Sequence, residues 1–245
     1  MANIEGRNPV IEVLKGDRKV NKIYLRNGVS GDKIETIKSK ADKMGIPVKY
    51  IGKNEFNNMA SSQVPQGVIA LAEKIKLYQP EDILDKAEKL NESPFIVILD
   101  HIKDPYNFGA IIRTAYAAGA HGIIFPKDRA AGITSTVIKA SSGAIEHIMM
   151  SKVANINYTI EKLKKRRLWI AGAGVEGASQ YYEMNFDQPI AIVIGSEGEG
   201  LKRLVKENCD FLIKIPMKGD LDSLNASVAA GIMLFEVTRQ RRIKS

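Results

Sequence analysis

The sequence predicts an α/β protein in two parts, a small N-terminal unit and a larger C-terminal unit built on a parallel sheet. Three observations predict it. Beyond residue 94, short continuous apolar runs alternate with helical stretches, the pattern of strands covered on both faces. Before residue 77, weaker β-branched runs alternate with amphipathic ones in the same way. Between the two, LYQPEDILDKAEKLNESP (77–94) is polar, locally acidic and punctuated by proline, as a boundary is. The expected division is a unit over 1–76, a linker over 77–93 and a second unit over 94–245, which suits a chain of 245 residues.

In the first unit, Val10, Ile11, Val13 and Leu14 space a short helix that ends at Gly16. KIYLR (22–26) reads as a strand, and Ile34, Ile37, Ala41 and Met44 line one face of a helix closed by Gly45. VKYI (48–51) and VIALAE (68–73) complete a small α/β sandwich. In the linker, Pro80-Glu81-Asp82 starts a short helix, with carboxylates at the positive end of its dipole. In the second unit FIVILD (95–100), GIIF (122–125), LWIAG (168–172), IAIVIG (190–195) and FLIKIP (211–216) are strands. A long amphipathic helix runs from about Ser223 to Arg242. Ligands of such sheets sit beyond the carboxyl ends of the strands, so the loops there carry the chemistry.

Charge and composition narrow the function classes. The chain has 36 Lys+Arg against 28 Asp+Glu, net +8. Residues 1–80 hold 14 basic and 8 acidic side chains, so +6 of that excess lies in a third of the length. A polyanionic partner, nucleic acid first, fits this distribution. The single cysteine, Cys209, excludes an internal disulfide framework, and His101, His121 and His147 lack metal-ligand spacing, so no metal is expected. The N-terminal residues form no apolar leader and no run of about 18 apolar residues occurs. The expectation is a cytoplasmic protein with no membrane partner.

Three loops stand out. In DHIKDPYNFGAIIRTAYAAGA (100–120), Asn107 is placed to cap the following helix and Gly109 permits close approach. Arg113 interrupts an otherwise apolar helix, so a buried guanidinium that meets an anion, or a structural ion pair, is expected. In IAIVIGSEGEGL (190–201), Gly195, Gly198 and Gly200 surround Ser196, Glu197 and Glu199. Two carboxylates repel phosphate and no Gly-Lys-Ser/Thr follows, so the loop suits a positively charged ligand held through backbone groups. Last, Ser223, Asn225 and Ser227 cluster at the start of the final helix, where Ser223 or Asn225 serves as cap. Gly172-x-Gly174-x-x-Gly177 imitates a dinucleotide fingerprint, but only SQYYEMNFDQP separates it from the next strand. That is too short for the covering helix such a site requires, so a flexible turn is expected.

The three loops, in this order, resemble the signature motifs of the SpoU (TrmH) family of RNA ribose 2′-O-methyltransferases in the SPOUT superfamily. The match is N-x-G-x-x-x-R-T-A at Asn107 to Ala115, I-G-S-E-G-E-G at Ile194 to Gly200, and I-P-M-x-G-x-x-x-S-L-N-x-S-V-A at Ile215 to Ala229. The basic N-terminal part, including Val64-Pro65-Gln66-Gly67-Val68, is similar to the family's ribosomal-protein-like substrate-binding domain. The resemblance implies a catalytic domain closed by a deep trefoil knot and a homodimer. It implies S-adenosylmethionine (AdoMet) held largely by main-chain atoms at Gly195, Ile215 and Leu224, with Ile194, Ser196, Met217 and Gly219 beside them. The catalytic residues it carries over are Asn107, Arg113, Glu197, Ser223 and Asn225. The implied substrate is RNA, with a guanosine in the peptidyl-transferase loop of 23S rRNA favoured by the closest subgroup. Three other classes remain open: a non-catalytic RNA-binding protein, a nicotinamide enzyme resting on the Gly172 run, and a Cys209 nucleophile, for which a buried thiol is the simpler account.

Overall fold

The computed structural model describes residues 1–60, 65–174, 179–220 and 223–243. It divides the chain into two units, Met1–Lys76 with Ile133–His147, and Leu77–Gly132 with Ile148–Ser245. In the first, β1 (Ala2–Glu5), β2 (Val20–Arg26), β3 (Val48–Ile51) and β4 (Val68–Ala72) form a sheet in the order β1-β4-β2-β3. The β2–β3 pair is parallel, and β4 runs antiparallel to β1 and β2. α1 (Arg7–Val13) and α2 (Asp32–Lys43) pack together, and α2 buries Ile34, Ile37 and Ala41. Asp32 and Glu35 in its first turn and Lys40 and Lys43 in its last complement the helix dipole. α3 (Lys53–Met59) contributes Phe56 to a small cluster with Ile51 and Ile69. Neither β1 nor α3 is marked in the sequence, because ANIE is very short and KNEFNNM buries a single side chain, too little for a periodicity.

The second unit starts earlier than the sequence suggests. The stretch 77–93 is a wall of this unit. Tyr78 N–H donates to the Met150 carbonyl at 2.9 Å. α4 (Pro80–Lys89) opens with the Asp82 carboxylate accepting from Gln79 N–H at 2.8 Å, and it buries Ile83, Leu84 and Ala87. Ile83 packs so closely on Gly122 that a Cβ there would lie 2.6 Å from its Cδ1. Polar composition on the outer face of α4 conceals this inner stripe.

β5 (Phe95–Asp100), α5 (Pro105–Ala117) and β6 (Gly122–Pro126) follow, and the chain then spends α6 (Ser135–Ala140) and a 3-10 turn at Ala144–Glu146 in the first unit. One ion pair and one histidine–carboxylate contact hold that excursion there. Arg18 Nη1 lies 2.7 Å from Glu146 Oε1 with both side chains almost wholly buried, and Glu12 Oε2 lies 3.2 Å from His147 Nε2. Gly143, at φ 91°, crosses Glu12 where a Cβ would be 2.3 Å from the glutamate Cβ. A division at residue 76 therefore leaves out part of the N-terminal unit.

The chain returns as β7 (Met149–Val153), α7 (Ile156–Lys165), β8 (Trp169–Ala173), the two-residue β9 (Ser179–Gln180), β10 (Ile190–Gly195), α8 (Arg203–Asn208), β11 (Phe211–Lys214) and α9 (Ala226–Ile243). The sheet order is β7-β6-β5-β10-β8-β11-β9, and every neighbouring pair is parallel. β5 and β6 are buried at every position, and the central β10 at all but its last. Between β8 and β10 the described residues hold only β9 and a 3-10 turn, Tyr181–Glu183, so the covering helix of a dinucleotide site is lacking there; Gly177 lies outside the described residues. No helix is long and apolar enough to cross a membrane among the described residues.

A buried histidine fastens the start of this sheet. His121 Nδ1 accepts from Phe95 N–H at 3.0 Å, so Nε2 carries the ring proton and faces Glu92 Oε2 at 3.1 Å. Burial pushes the His121 imidazole below its ordinary range despite the Glu92 carboxylate. A base depressed in this way stabilises the fold above its unfolded value, about 6.5, and that contribution is lost as the pH falls through the folded value. The unfolding free energy is expected to drop more between pH 7.5 and 5.5 in the wild type than in His121→Asn, measured by urea titration. Equal drops would remove His121 from the account.

Candidate active site

The loops beyond the carboxyl ends of β5, β10 and β11 meet. At the first, the cap of α5 is Asp104, whose carboxylate accepts from Tyr106 and Asn107 N–H at 3.1 and 3.2 Å. Asn107 is therefore not the cap expected from its position. It lies in the first turn with its side chain released for other work. Its Nδ2 donates to Glu197 Oε1 in a short hydrogen bond, and its Oδ1 accepts from Asn225 Nδ2 at 3.1 Å. Asn225 in turn caps α9, its Oδ1 accepting from Ser227 N–H at 2.9 Å and Ser227 Oγ–H at 2.6 Å. One chain of amides and a carboxylate thus joins three loops far apart in sequence.

The glycine loop is a tight closed turn. Ser196 and Gly200 exchange backbone hydrogen bonds at 3.1 and 2.9 Å. Gly195 passes the Gly200–Leu201 backbone so closely that a Cβ would sit 2.3 Å from the Gly200 carbonyl carbon. Gly198 and Gly200 hold φ of 81° and 63°, the left-handed region where side chains are strained. The exit is pinned by Asp100, wholly buried at the end of β5, whose Oδ2 accepts from Lys202 N–H at 2.6 Å.

Under this loop lies a cleft of about 530 Å³, within the range of small-molecule sites. Of the residues the sequence singled out, Gly195, Ile194, Ser196, Ile215, Met217 and Leu224 line it, as do Glu197, Ser223 and Asn225. Asn107 stands behind Glu197 and Asn225 and reaches the cleft through them. Gly219 is exposed and outside the lining. Sequence reasoning missed Ala173, Gly174, Lys206 and Met233, which also line it. Gly174 belongs to the glycine run dismissed as a flexible turn, and its place after a buried strand was the signal.

Arg113 departs from expectation. Its side chain is exposed, not buried, and it is not among the cleft's lining residues. Six residues separate it from Asn107, so the two point to different sides of α5. Cys209 is no nucleophile: burial pushes its thiol up to about 12, and its Sγ–H donates to the Val205 carbonyl at 3.1 Å. Among the described residues no group of histidine, cysteine and carboxylate side chains could hold a metal ion.

The first unit carries a second concave surface, a shallow cleft of about 820 Å³ lined by Arg7, Arg26, Lys33 and Lys53 with Asp32 as the one carboxylate. Gln66 and Gly67 shape its rim: Gln66 Oε1 accepts from Arg7 N–H at 3.0 Å, and both residues have positive φ. Val64 of the run noted above lies outside the described residues.

The family model described as SpoU rRNA Methylase matches residues 94–235. The chain belongs to this family. A second model, RNA 2′-O ribose methyltransferase substrate binding, matches residues 3–78, the part that carries the basic cleft. YacO of Bacillus subtilis, named for the TrmH family of tRNA/rRNA methyltransferases, is 46% identical over 96% of this chain and 94% of its own length. An rRNA methyltransferase of Sinorhizobium meliloti, solved with AdoMet bound, superposes with a TM-score of 0.77 at 27% identity, covering 97% of this chain and 87% of that one. The SpoU methyltransferase AviRb of Streptomyces viridochromogenes shares the fold, with a TM-score of 0.83 at 24% identity over 99% and 91% of the two chains. This SpoU protein is an RNA methyltransferase: the second and third motif loops line the cleft, and the first is joined to them through Asn107.

The glycine loop gives a direct test. Gly195→Ala must displace backbone and is expected to lower the unfolding free energy by about 1–3 kcal/mol. Gly219→Ala, where an added Cβ meets nothing within 4 Å, is expected to stay near wild type. Equal stabilities in a urea titration would show that the loop yields freely.

Proposed function

We propose that this chain transfers a methyl group from AdoMet to a ribose 2′-hydroxyl of RNA, acts on a guanosine in the peptidyl-transferase loop of 23S rRNA, and works as a homodimer. The observation that carries the chemistry is the hydrogen-bonded run Glu197–Asn107–Asn225 at the edge of the glycine-floored cleft. AdoMet suits that cleft. Ile194, Ile215, Leu224 and Met233 offer apolar walls, Gly195 exposes main chain, and Glu197 and Glu199 offer carboxylates to a cationic ligand. When bound, AdoMet supplies a methyl carbon activated by its sulfonium sulfur.

The protein must then hold the 2′-oxygen in line with that carbon and ease the loss of its proton. Glu197, oriented by Asn107, presents a carboxylate that accepts the hydroxyl's hydrogen bond. Asn107 is a positioning residue, because both ends of its amide are spent on Glu197 and Asn225. Ser223 adds a hydroxyl at the same rim. Arg113 clamps the target phosphate and stabilises the developing alkoxide. It is not the base, since a guanidinium stays protonated at any working pH.

Arg113 on an exposed face is consistent with a homodimer. Tyr106, seven residues before it, is 68% exposed, and on α9 Val228 and Phe235, also seven apart, are 50% and 49% exposed. A spacing of seven keeps each pair on one side of its helix. α5 and α9 pack together, with Thr238 Oγ1–H donating to the Ala118 carbonyl at 2.8 Å. Apolar stripes of this kind are what a second copy would cover. The knotted chain end that the resemblance implies belongs to the same reading.

The basic cleft of the N-terminal unit supports RNA as the substrate. The choice of 23S rRNA rests on the motif resemblance to the RlmB subgroup. A different rRNA nucleotide or a tRNA is the second reading, favoured by the tRNA/rRNA naming of YacO. Mapping ribose methylation in cells with and without the protein decides between them: a mark lost from the peptidyl-transferase loop supports the first, a mark lost elsewhere the second.

Arg113→Ala is expected to cut methyl transfer by roughly 100-fold or more while AdoMet affinity, measured by calorimetry, stays at the wild-type value; near-normal turnover would remove Arg113 from the chemistry. Phe235→Asp is expected to run as a monomer in light scattering, and a persistent dimer would mean that another face joins the copies.

A further inference from the structure

A second cleft in the catalytic unit, of about 510 Å³, plays no part in the reaction described above. It opens beyond the carboxyl ends of β5, β6 and β7 and is lined by His101, Arg129, Asn155, Lys202 and Arg203, with Asp128 as its one carboxylate. The backbone that carries these residues is held in place. His101 and Arg129 follow β5 and β6 with φ of 60° and 58°, the left-handed region that side chains enter at a cost. His101 Nδ1 bonds the buried Asp100 Oδ1 at 2.5 Å, while Asp100 Oδ2 takes Lys202 N–H at 2.6 Å. With Nδ1 turned to the carboxylate, the ring's Nε2 is left for the cleft.

Two further observations define its occupant. The cleft adjoins the cofactor cleft along the chain: Leu201 lines the one and Lys202 lines the other. Its cations are also available. Arg203 is 83% exposed and makes only a long 3.4 Å pair with Glu207, and Arg129 and Lys202 have no ion pair among the described residues. A row of available cations beside the reacting site suits a phosphodiester backbone.

We propose that this cleft is a subsite for the substrate RNA, binding backbone phosphates of the strand that flanks the methylated nucleotide. Arg129, Lys202 and Arg203 contact phosphate, and His101 is positioned by Asp100 to hydrogen-bond the same strand. The proposal rests on the reading of the chain as an AdoMet-dependent RNA methyltransferase.

The test compares the full-length protein with Arg129→Gln/Arg203→Gln, both exposed positions, and with Lys165→Gln/Arg166→Gln at the far end of α7, which removes the same charge. Binding of a 23S rRNA transcript is measured across a salt series, and AdoMet binding by calorimetry. The cleft variant is expected to lose about tenfold in RNA affinity and to reduce the salt slope by roughly 1–2, with AdoMet affinity unchanged and a smaller effect in the α7 variant. Equal losses in the two variants, or no loss in the cleft variant while the wild type methylates RNA, overturn the subsite alone. A wild-type chain that neither binds AdoMet nor modifies RNA overturns the enzyme reading and the subsite with it.

Discussion

The catalytic unit turns on one buried carboxylate. Asp100 ends the central strand β5 with no exposure to solvent, and its two oxygens face different loops, His101 on one side and the Lys202 amide on the other. A carboxylate in such a place is tolerated only when its lone pairs are occupied. The requirement ties the glycine loop to β5 and fixes where Glu197 stands relative to Asn107. Without that anchor the loop between Gly195 and Lys202 would be tied to its neighbours only through its glutamates, Glu197 to Asn107 and Glu199 to Lys103.

From that anchor the site is assembled by side-chain amides. Asn107 and Asn225 each serve two partners, so the first turn of α5, the glycine loop and the cap of α9 cannot be placed independently. Networks of this kind are stabilising only when complete. The arrangement accounts for the concentration of polar residues at the start of α9, an otherwise apolar helix, because the cap and the contact to Asn107 come from one side chain.

Much of this was legible in the sequence. The fully buried strands announced themselves, β5 and β10 to the residue, because continuous apolar runs leave no face ambiguous. The loops after them carried their chemistry in residue types that a turn alone does not need. Other features left little trace. β7 (MMSKV) lies at the sheet edge with polar positions, and β9 has two residues. α4 hides a buried stripe behind a charged face. The exposure of Arg113 was unreadable because α5 and α9 carry apolar residues on the outside as well as the inside, so hydrophobicity did not mark the buried face.

The excursion of residues 133–147 into the N-terminal unit has a consequence for how the chain is made. Arg18 and Glu146 are 128 residues apart in sequence, and Glu12 waits still longer for His147. At usual rates of synthesis the partner of Arg18 appears on the order of ten seconds later. By then β5 and β6 have already been made. The N-terminal unit, made ahead of the catalytic sheet, is therefore finished only after that sheet has begun, and the order of synthesis is not the order of completion.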